Sequence, residues 1–583
     1  MKTDRPNIIY VLTDDQGYGD LGCTGNPWLQ TPNIDAFYQD SVRMTNFHVG
    51  PTCAPTRSGL MTGHYANSTG VWHTIGGRSL LRKDEWTLAT ALQENGYTTG
   101  IFGKWHLGDS YPYRPEDRGF TKVVVHGGGG ISQTPDYWGN HYFDDTYRVD
   151  GEYQKFQGYC TDIFFDEAKK FIKENKDNPF FCYLATNAPH EPYNVETKYS
   201  DLYRDKVMDR RARFYGMITN IDENFGKLRE FLKEEGLEDN TILIFMTDNG
   251  SSCAMSFDED GNLIEGYNAG LRGTKCSEYD GGHRVPFFVR YPNGNIVGGK
   301  DCNELCANVD FMPTMLDFCN VNPGEHTFHG ISLKESMQDV EHKLEKRFIV
   351  TDNQRVPNPI KWKNYSVMMD EMRLVNGNEL YDLSKDRGQE HNVIQEYPEL
   401  VEEMKQAYET WWELVSVKFD DFIPLYITKE TKLTAHDWRG DVDICVWDQN
   451  LIRQGKRTTG AWEVYAEESG TYQICAYRWA PETGYMLRQG INGNDVEYDK
   501  EQVEEKYWGH YENGESISIV GSKLYVDREC IAEQDNISDE MPYAVYEVEI
   551  DKGNHLLEVR FIEEDLNEFG AYYVVAKCLE KRK

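Results

Sequence analysis

Two apolar runs far apart in the chain limit the folds open to it. Residues 7–12 read Asn-Ile-Ile-Tyr-Val-Leu and residues 241–246 read Thr-Ile-Leu-Ile-Phe-Met. Neither alternates polar with apolar side chains, so each suits a strand buried on both faces, as in a parallel sheet covered by helices. Each run stops in polar residues, Thr13-Asp14-Asp15 after the first and Thr247-Asp248-Asn249 after the second. Between them lie a helical pattern over residues 87–95 and strand-like runs over 98–102 and 180–185. Alternating strands and helices predict an α/β domain, a central sheet with helices on both faces. Ligands of such sheets gather at the carboxyl ends of strands, which is where both acidic pairs fall.

Three regions are expected from 583 residues. Residues 1–345 carry the α/β pattern. Residues 346–420 hold short strand-like runs at 364–369, 372–375 and 379–383 and a helical pattern at 397–415, which predicts a small antiparallel sheet with a helix. Residues 421–583 hold alternating runs at 461–467, 470–478, 516–520, 543–550 and 555–561. With a turn at Asp551-Lys552-Gly553-Asn554, they predict an appended β-sandwich. The chain shows no internal repeat.

A net charge of −36 argues against nucleic acid and anionic membrane surfaces as partners. No segment is long and apolar enough to span a membrane. The 37 tyrosines and 13 tryptophans suit either a carbohydrate-handling surface or a large core. Thirteen cysteines, odd in number and without paired spacing, do not form a secreted disulfide framework. Cys302 and Cys306 lack the second ligand pair that zinc needs. The sequence starts Met-Lys-Thr-Asp-Arg-Pro and runs straight into a strand without a signal peptide. A cytoplasmic location is expected as the sequence stands, with a periplasmic or secreted one if a leader has been removed.

The chemistry centres on Cys53-Ala54-Pro55-Thr56-Arg57. Pro55 fixes its own φ and biases Ala54 away from the helical region, so Cys53 is expected at the mouth of a helix starting near Pro55. Helix N-termini attract anions, and Arg57 is expected to reach back toward the Cys53 side chain. Asp14, Asp15, Asp248 and Asn249 offer oxygen ligands only. Such a set binds Ca²⁺ or Mg²⁺ rather than zinc, and its irregular mixture of carboxylate and amide favours Ca²⁺. Lys104 and His106 follow the run at 98–102 and would share a face if that strand continued. His190 follows the run at 180–185. The loop-like stretches at 73–78 and 126–140 supply His73, Arg78, Ser132, Asp136 and Trp138 as candidate sugar-binding residues. Arg355, Trp362 and Lys363 are added by position alone.

The run Cys-x-Pro-x-Arg, closed by Thr62-Gly63, resembles the signature of type I sulfatases. So do Gln16-Gly17-Tyr18-Gly19-Asp20, Gly103-Lys104-Trp105-His106-Leu107-Gly108, Pro189-His190-Glu191-Pro192 and Arg272-Gly273-Thr274-Lys275. The stretch from Tyr279 through His283 to Pro286, and Glu379-Leu380-Tyr381-Asp382-Leu383, extend the likeness to about residue 395. The resemblance implies an alkaline-phosphatase-like mixed sheet. It implies that a formylglycine-generating enzyme oxidises Cys53 to formylglycine, whose hydrate attacks sulfur. A thiolate would be left as a stable thiosulfate ester, whereas the hydrate expels sulfate and regenerates the aldehyde. Calcium is implied at Asp14, Asp15, Asp248, Asn249 and position 53, and sulfate contacts at Lys104 and Lys275. Arg57 joins the catalytic set, with His106 as base and His190 as acid. His283 is either a substrate-side histidine or a packed one. The C-terminal region resembles the β-domain of some bacterial carbohydrate sulfatases. The expected activity is hydrolysis of a sulfate monoester on a glycan, at a chain end. The alternatives are a phosphonate or phosphate monoester hydrolase of the same superfamily and a catalytically silent binder of sulfated glycans.

Overall fold

The computed structural model describes residues 5–257, 263–493 and 511–582. Residues 1–4 and 583, which the expected domain bounds include, lie outside the described residues. A ten-stranded mixed sheet organises the first region. At its centre, Asn7–Thr13 pairs in parallel with Thr241–Thr247 on one side and Phe180–Ala185 on the other. Thr98–Gly103 and Lys122–Val125 continue the parallel run, while Phe287–Arg290 pairs antiparallel to Thr241–Thr247. Successive side chains of a strand point to opposite faces. Ile8, Tyr10 and Leu12 therefore enter one core, with the helices Cys53–Thr62, Leu88–Glu94 and Phe311–Phe318. Ile9 and Val11 enter the other, with Cys160–Asn175 and Asp209–Glu234. Both faces are covered, which is why Asn7–Thr13 and Thr241–Thr247 run through Ile, Val, Leu, Phe, Met and Tyr from their second residue to their last but one.

A four-stranded antiparallel sheet follows, in the order Ile349–Asp352, Tyr365–Met369, Met372–Val375 and Glu379–Asp382. The helix Pro398–Val415 covers it with Val401, Met404, Tyr408, Trp411 and Val415, a stripe at helical spacing. Trp362 stacks on Tyr408 with ring centroids 4.2 Å apart, so this side chain caps the helix–sheet core and does not enter a substrate pocket.

The last region holds one sheet that includes Trp462–Ala466, Ile519–Val526, Glu529–Asp535 and Gly553–Glu563, and a second of Thr431–Thr434, Gly470–Tyr477, Ala544–Ile550 and Tyr573–Lys581. The two sheets share one core. The hairpin between Ile519–Val526 and Glu529–Asp535 escapes sequence reading. Asp527 and Arg528 both take positive φ, 53° and 71°, without the Asn-Gly or Asp-Gly pair that signals such a turn. Gly553 and Asn554, expected in a turn, already belong to a strand. Ile75, Leu80, Tyr113 and Trp138 of the first region are built into the same core. All thirteen cysteines are free, and among the described residues no helix is long and apolar enough to cross a membrane.

Candidate active site

Parallel pairing brings the key side chains together. Thr13 is in register with Thr247, Leu12 with Ala185 and Ala185 with Gly103. The residues that follow these strands, Asp14-Asp15, Asp248-Asn249 and Lys104, therefore leave the sheet at one edge. The helix Cys53–Thr62 points its N-terminus at that edge. Thr52 is extended, and Cys53 is itself the first helical residue. The helix thus starts two residues earlier than expected, because proline is tolerated anywhere in a first turn whose N–H groups have no intrahelical partner. Gly59 lets the helix lie against Asn308, whose amide donates to the Thr56 carbonyl at 3.1 Å.

The thiol of Cys53 and one carboxylate oxygen each from Asp14 and Asp248 lie within 4.8 Å of one another, all buried. Lys104 Nζ donates to Asp14 Oδ2 at 2.5 Å, and Lys275 Nζ lies 2.6 Å from Asp15 Oδ1. Asn249 Nδ2 donates to Asp15 Oδ1 at 3.0 Å. Among the described residues Arg57 has no hydrogen bond to the thiol. It donates to Asp248 Oδ2 at 2.7 Å and to the Lys104 carbonyl at 3.2 Å. Its NH groups serve this buried ion pair, while its Nε is buried without a hydrogen-bond partner.

This site fits a hard cation. Asp14 Oδ1 and Asn249 Oδ1 are buried and accept no hydrogen bond. Three carboxylates crowd one point, and burial together with the neighbouring Asp14 pushes the Asp248 carboxyl up despite Arg57. Burial also raises Asp15, but Lys275, His190 and Lys104 outweigh it and hold that carboxyl well below the usual range. Burial raises the Cys53 thiol, against the pull of Lys104 and Lys275.

The histidines have assignable tautomers. His106 follows a strand that ends at Gly103, and it takes φ 59°, so Lys104 and His106 do not share a strand face. A bend carries the imidazole to the site instead. Its Nε2 faces the Thr74 carbonyl at 2.9 Å; the carbonyl only accepts, so the proton is on Nε2 and Nδ1 is a bare lone pair, buried and unpartnered. Burial, then Lys104, holds its pKa well below the ordinary value. His190 Nδ1 faces the Glu191 carbonyl at 2.6 Å, and its Nε2 lies 3.7 Å from Asp15. Burial lowers it to about 4 against the attraction of Asp15. The side chains of Lys275 and His190 are 21% and 16% exposed while that of Lys104 is sealed, so the site opens on the Lys275–His190 side.

Most of the expected sugar-binding residues scatter. His73 and Arg78 are buried, the latter stacked 4.5 Å over the Trp72 ring. Asp136 is a loop organiser: it accepts from Gly127 N, Ser132 N and Asn140 Nδ2, and burial drives its pKa far up. Ser132 serves that turn through its backbone N–H, with φ 78°. Trp138 packs edge-on against Trp479 at 5.6 Å and offers no platform for a sugar. His283 is fully buried, with Nδ1 2.9 Å from His48 Nδ1, above a network of Asp280, Arg284 and Arg373. It is the packed histidine of the two options. Arg355 extends over Cys276 at 3.6 Å, next to Lys275. Sequence reading missed His436, whose ring lies 6.4 Å from that of His106; it belongs to no motif.

A family model described as Sulfatase matches residues 6–321, and one described as N-sulphoglucosamine sulphohydrolase, C-terminal, matches residues 274–413. Arylsulfatase J of Mus musculus is 31% identical over 331 residues, 54% of this chain and 52% of that protein. N-acetylgalactosamine-6-sulfatase of Homo sapiens is 29% identical over 56% of this chain and 65% of its own length. The chain thus spans about half of the first relative and just under two thirds of the second. The crystal structure of Ps i-CgsB in complex with k-i-k-neocarrahexaose superimposes with a TM-score of 0.61 and 26% identity, covering 71% of this chain and 98% of that one.

Proposed function

The chain belongs to the sulfatase family, and from that premise we propose that it hydrolyses a sulfate monoester carried by a saccharide, with a nucleophile derived from Cys53 and a bound Ca²⁺. The observation that carries this reading is the meeting of Cys53, Asp14 and Asp248 within 4.8 Å, beside the ammonium groups of Lys104 and Lys275. The saccharide is supported by the relatives, one an N-acetylgalactosamine-6-sulfatase and one solved with a neocarrahexaose.

Asp14, Asp15, Asp248 and Asn249 would hold the cation, which supplies positive charge for an anionic ester. Formylglycine at position 53 supplies a hydroxyl nucleophile and puts hard oxygen where soft sulfur stood, in keeping with those ligands. Lys104 and Lys275 hold the sulfate oxygens and offset the charge that gathers as the S–O bond breaks. His106 takes a proton at its bare Nδ1, with Nε2 pinned to the Thr74 carbonyl. His190 keeps its Nδ1 proton on the Glu191 carbonyl, so it donates from Nε2 only as imidazolium, a form that an arriving sulfate anion stabilises. Arg57 holds Asp248 in place at 2.7 Å.

Protein co-produced with a formylglycine-generating enzyme tests this directly. The Cys53 peptide is expected to take a hydrazide label. The protein is expected to turn over an aryl sulfate much faster than the matching aryl phosphate, to lose that activity on calcium chelation and to regain it with Ca²⁺. It is also expected to hydrolyse some member of a panel of monosulfated galactose, N-acetylgalactosamine and glucosamine. Faster turnover of the phosphate would make it a phosphomonoesterase, and labelled protein without hydrolysis would make it a binder.

A further inference from the structure

We infer that the C-terminal region completes the substrate pocket: His436, together with His73, forms a subsite for a hydroxyl of the sugar ring that bears the scissile sulfate. This rests on the sulfatase reading. Both family models end by residue 413, before His436, so the subsite belongs to the part of the chain that they do not cover.

The loop at 73–78 is clasped between the catalytic histidine and the C-terminal region. The Thr74 carbonyl accepts from His106 at 2.9 Å, the Gly76 N–H donates to the His436 carbonyl at 2.8 Å, and Arg439 donates back to the Gly76 carbonyl at 3.0 Å. This holds the His436 ring 6.4 Å from that of His106. His436 Nδ1 lies 2.9 Å from Asp437 Oδ1. The carboxylate accepts, so a proton sits on Nδ1, and in the neutral ring Nε2 is an acceptor. His73 is the converse case. Its Nδ1 accepts the backbone N–H groups of Thr74 at 2.6 Å and Ile75 at 3.1 Å, so its proton sits on Nε2. Both Nε2 atoms are buried and make no hydrogen bond. Unpaired buried polar atoms are costly, and a donor and an acceptor left open on two neighbouring histidines match a group that both accepts and donates. A sugar hydroxyl is such a group; a second sulfate, which only accepts, would meet a lone pair on His436. Burial and the nearby Arg355 and His436 lower His73 to about 3, which keeps its ring neutral.

The test compares kcat/KM for the best sulfated saccharide of the panel with kcat/KM for 4-nitrophenyl sulfate, in the matured full-length protein and in His436→Ala. The expected result is a loss at least about tenfold larger for the saccharide, the size of one hydrogen bond. An equal loss on both substrates would overturn the subsite and leave His436 as a prop for the His106 loop. Should His436→Ala fail to fold, monodeoxy analogues of the saccharide with the unaltered protein decide. One missing hydroxyl is expected to cost about tenfold, and indifference to every deoxygenation overturns the inference. If the protein cleaves the aryl sulfate but no saccharide, the saccharide reading fails first and takes this one with it.

Discussion

At the scale of single residues the site is a problem of unequal charges. Three carboxylates meet three cations inside the fold, and the pairing decides which side chains face a substrate. Lys275 and His190 stay at the opening, whereas Arg57 and Lys104 are sealed against Asp248 and Asp14. Removing one partner of a buried pair leaves an uncompensated charge, so Arg57→Ala is expected to cost about 3–5 kcal/mol in urea denaturation. Arg57→Lys should recover only part, because an ammonium cannot reproduce the branched contacts to Asp248 and the Lys104 carbonyl. An Arg57→Ala protein as stable as the parent would mean that the pair carries no structural weight. Motif reading picked out Arg57 but not its direction, since Asp248 comes from a strand 191 positions away.

At the scale of elements, the histidines are held by backbone that has no room to spare. A Cβ at Gly129 would sit 2.3 Å from His106 Cε1, and one at Gly130 would lie 3.2 Å from the His190 ring. The glycine run at 127–130 backs the two catalytic candidates. Gly129→Ala is therefore expected to displace His106 and lower kcat by about 100-fold, with little change in thermal stability. Parent-like kcat would show that His106 needs no such support. Much of this level was legible: apolar runs free of alternation announced the central strands, and their polar ends announced the site. The bend at His106 was not, because a positive φ at a non-glycine residue is imposed by neighbouring segments rather than by local preference.

At the scale of the molecule, the C-terminal region is tied into the catalytic loops. Thr134 donates to the carbonyls of Trp447 at 2.9 Å and Val446 at 2.6 Å, and Gln449 reaches the Gln133 carbonyl at 3.2 Å. Trp138 lies in the shared core with Trp479 and Arg453. Trp138→Ala is expected to destabilise the protein by about 3–5 kcal/mol, the usual cost of deleting a buried aromatic. Calorimetry should show it as a lowered transition, while a saccharide KM that rises with no loss of stability would return Trp138 to the pocket.

The sequence by itself determined the class of fold, and its motifs determined the family and picked out the cysteine, carboxylates and lysines that meet at the site. The fold class follows from short-range facts, namely apolar runs, a 3.6-residue periodicity and polar residues at the ends of strands whose pairing is forced by burial, whereas the family follows from the resemblance of the motifs. Only the tertiary structure decided where those side chains point. It paired Arg57 with Asp248, turned Trp138 and Asp136 inward, and brought His436 from a region without motifs to within 6.4 Å of His106. Such outcomes depend on which distant segment supplies the nearest opposite charge or the last apolar wall, and a local pattern of residues carries no record of that.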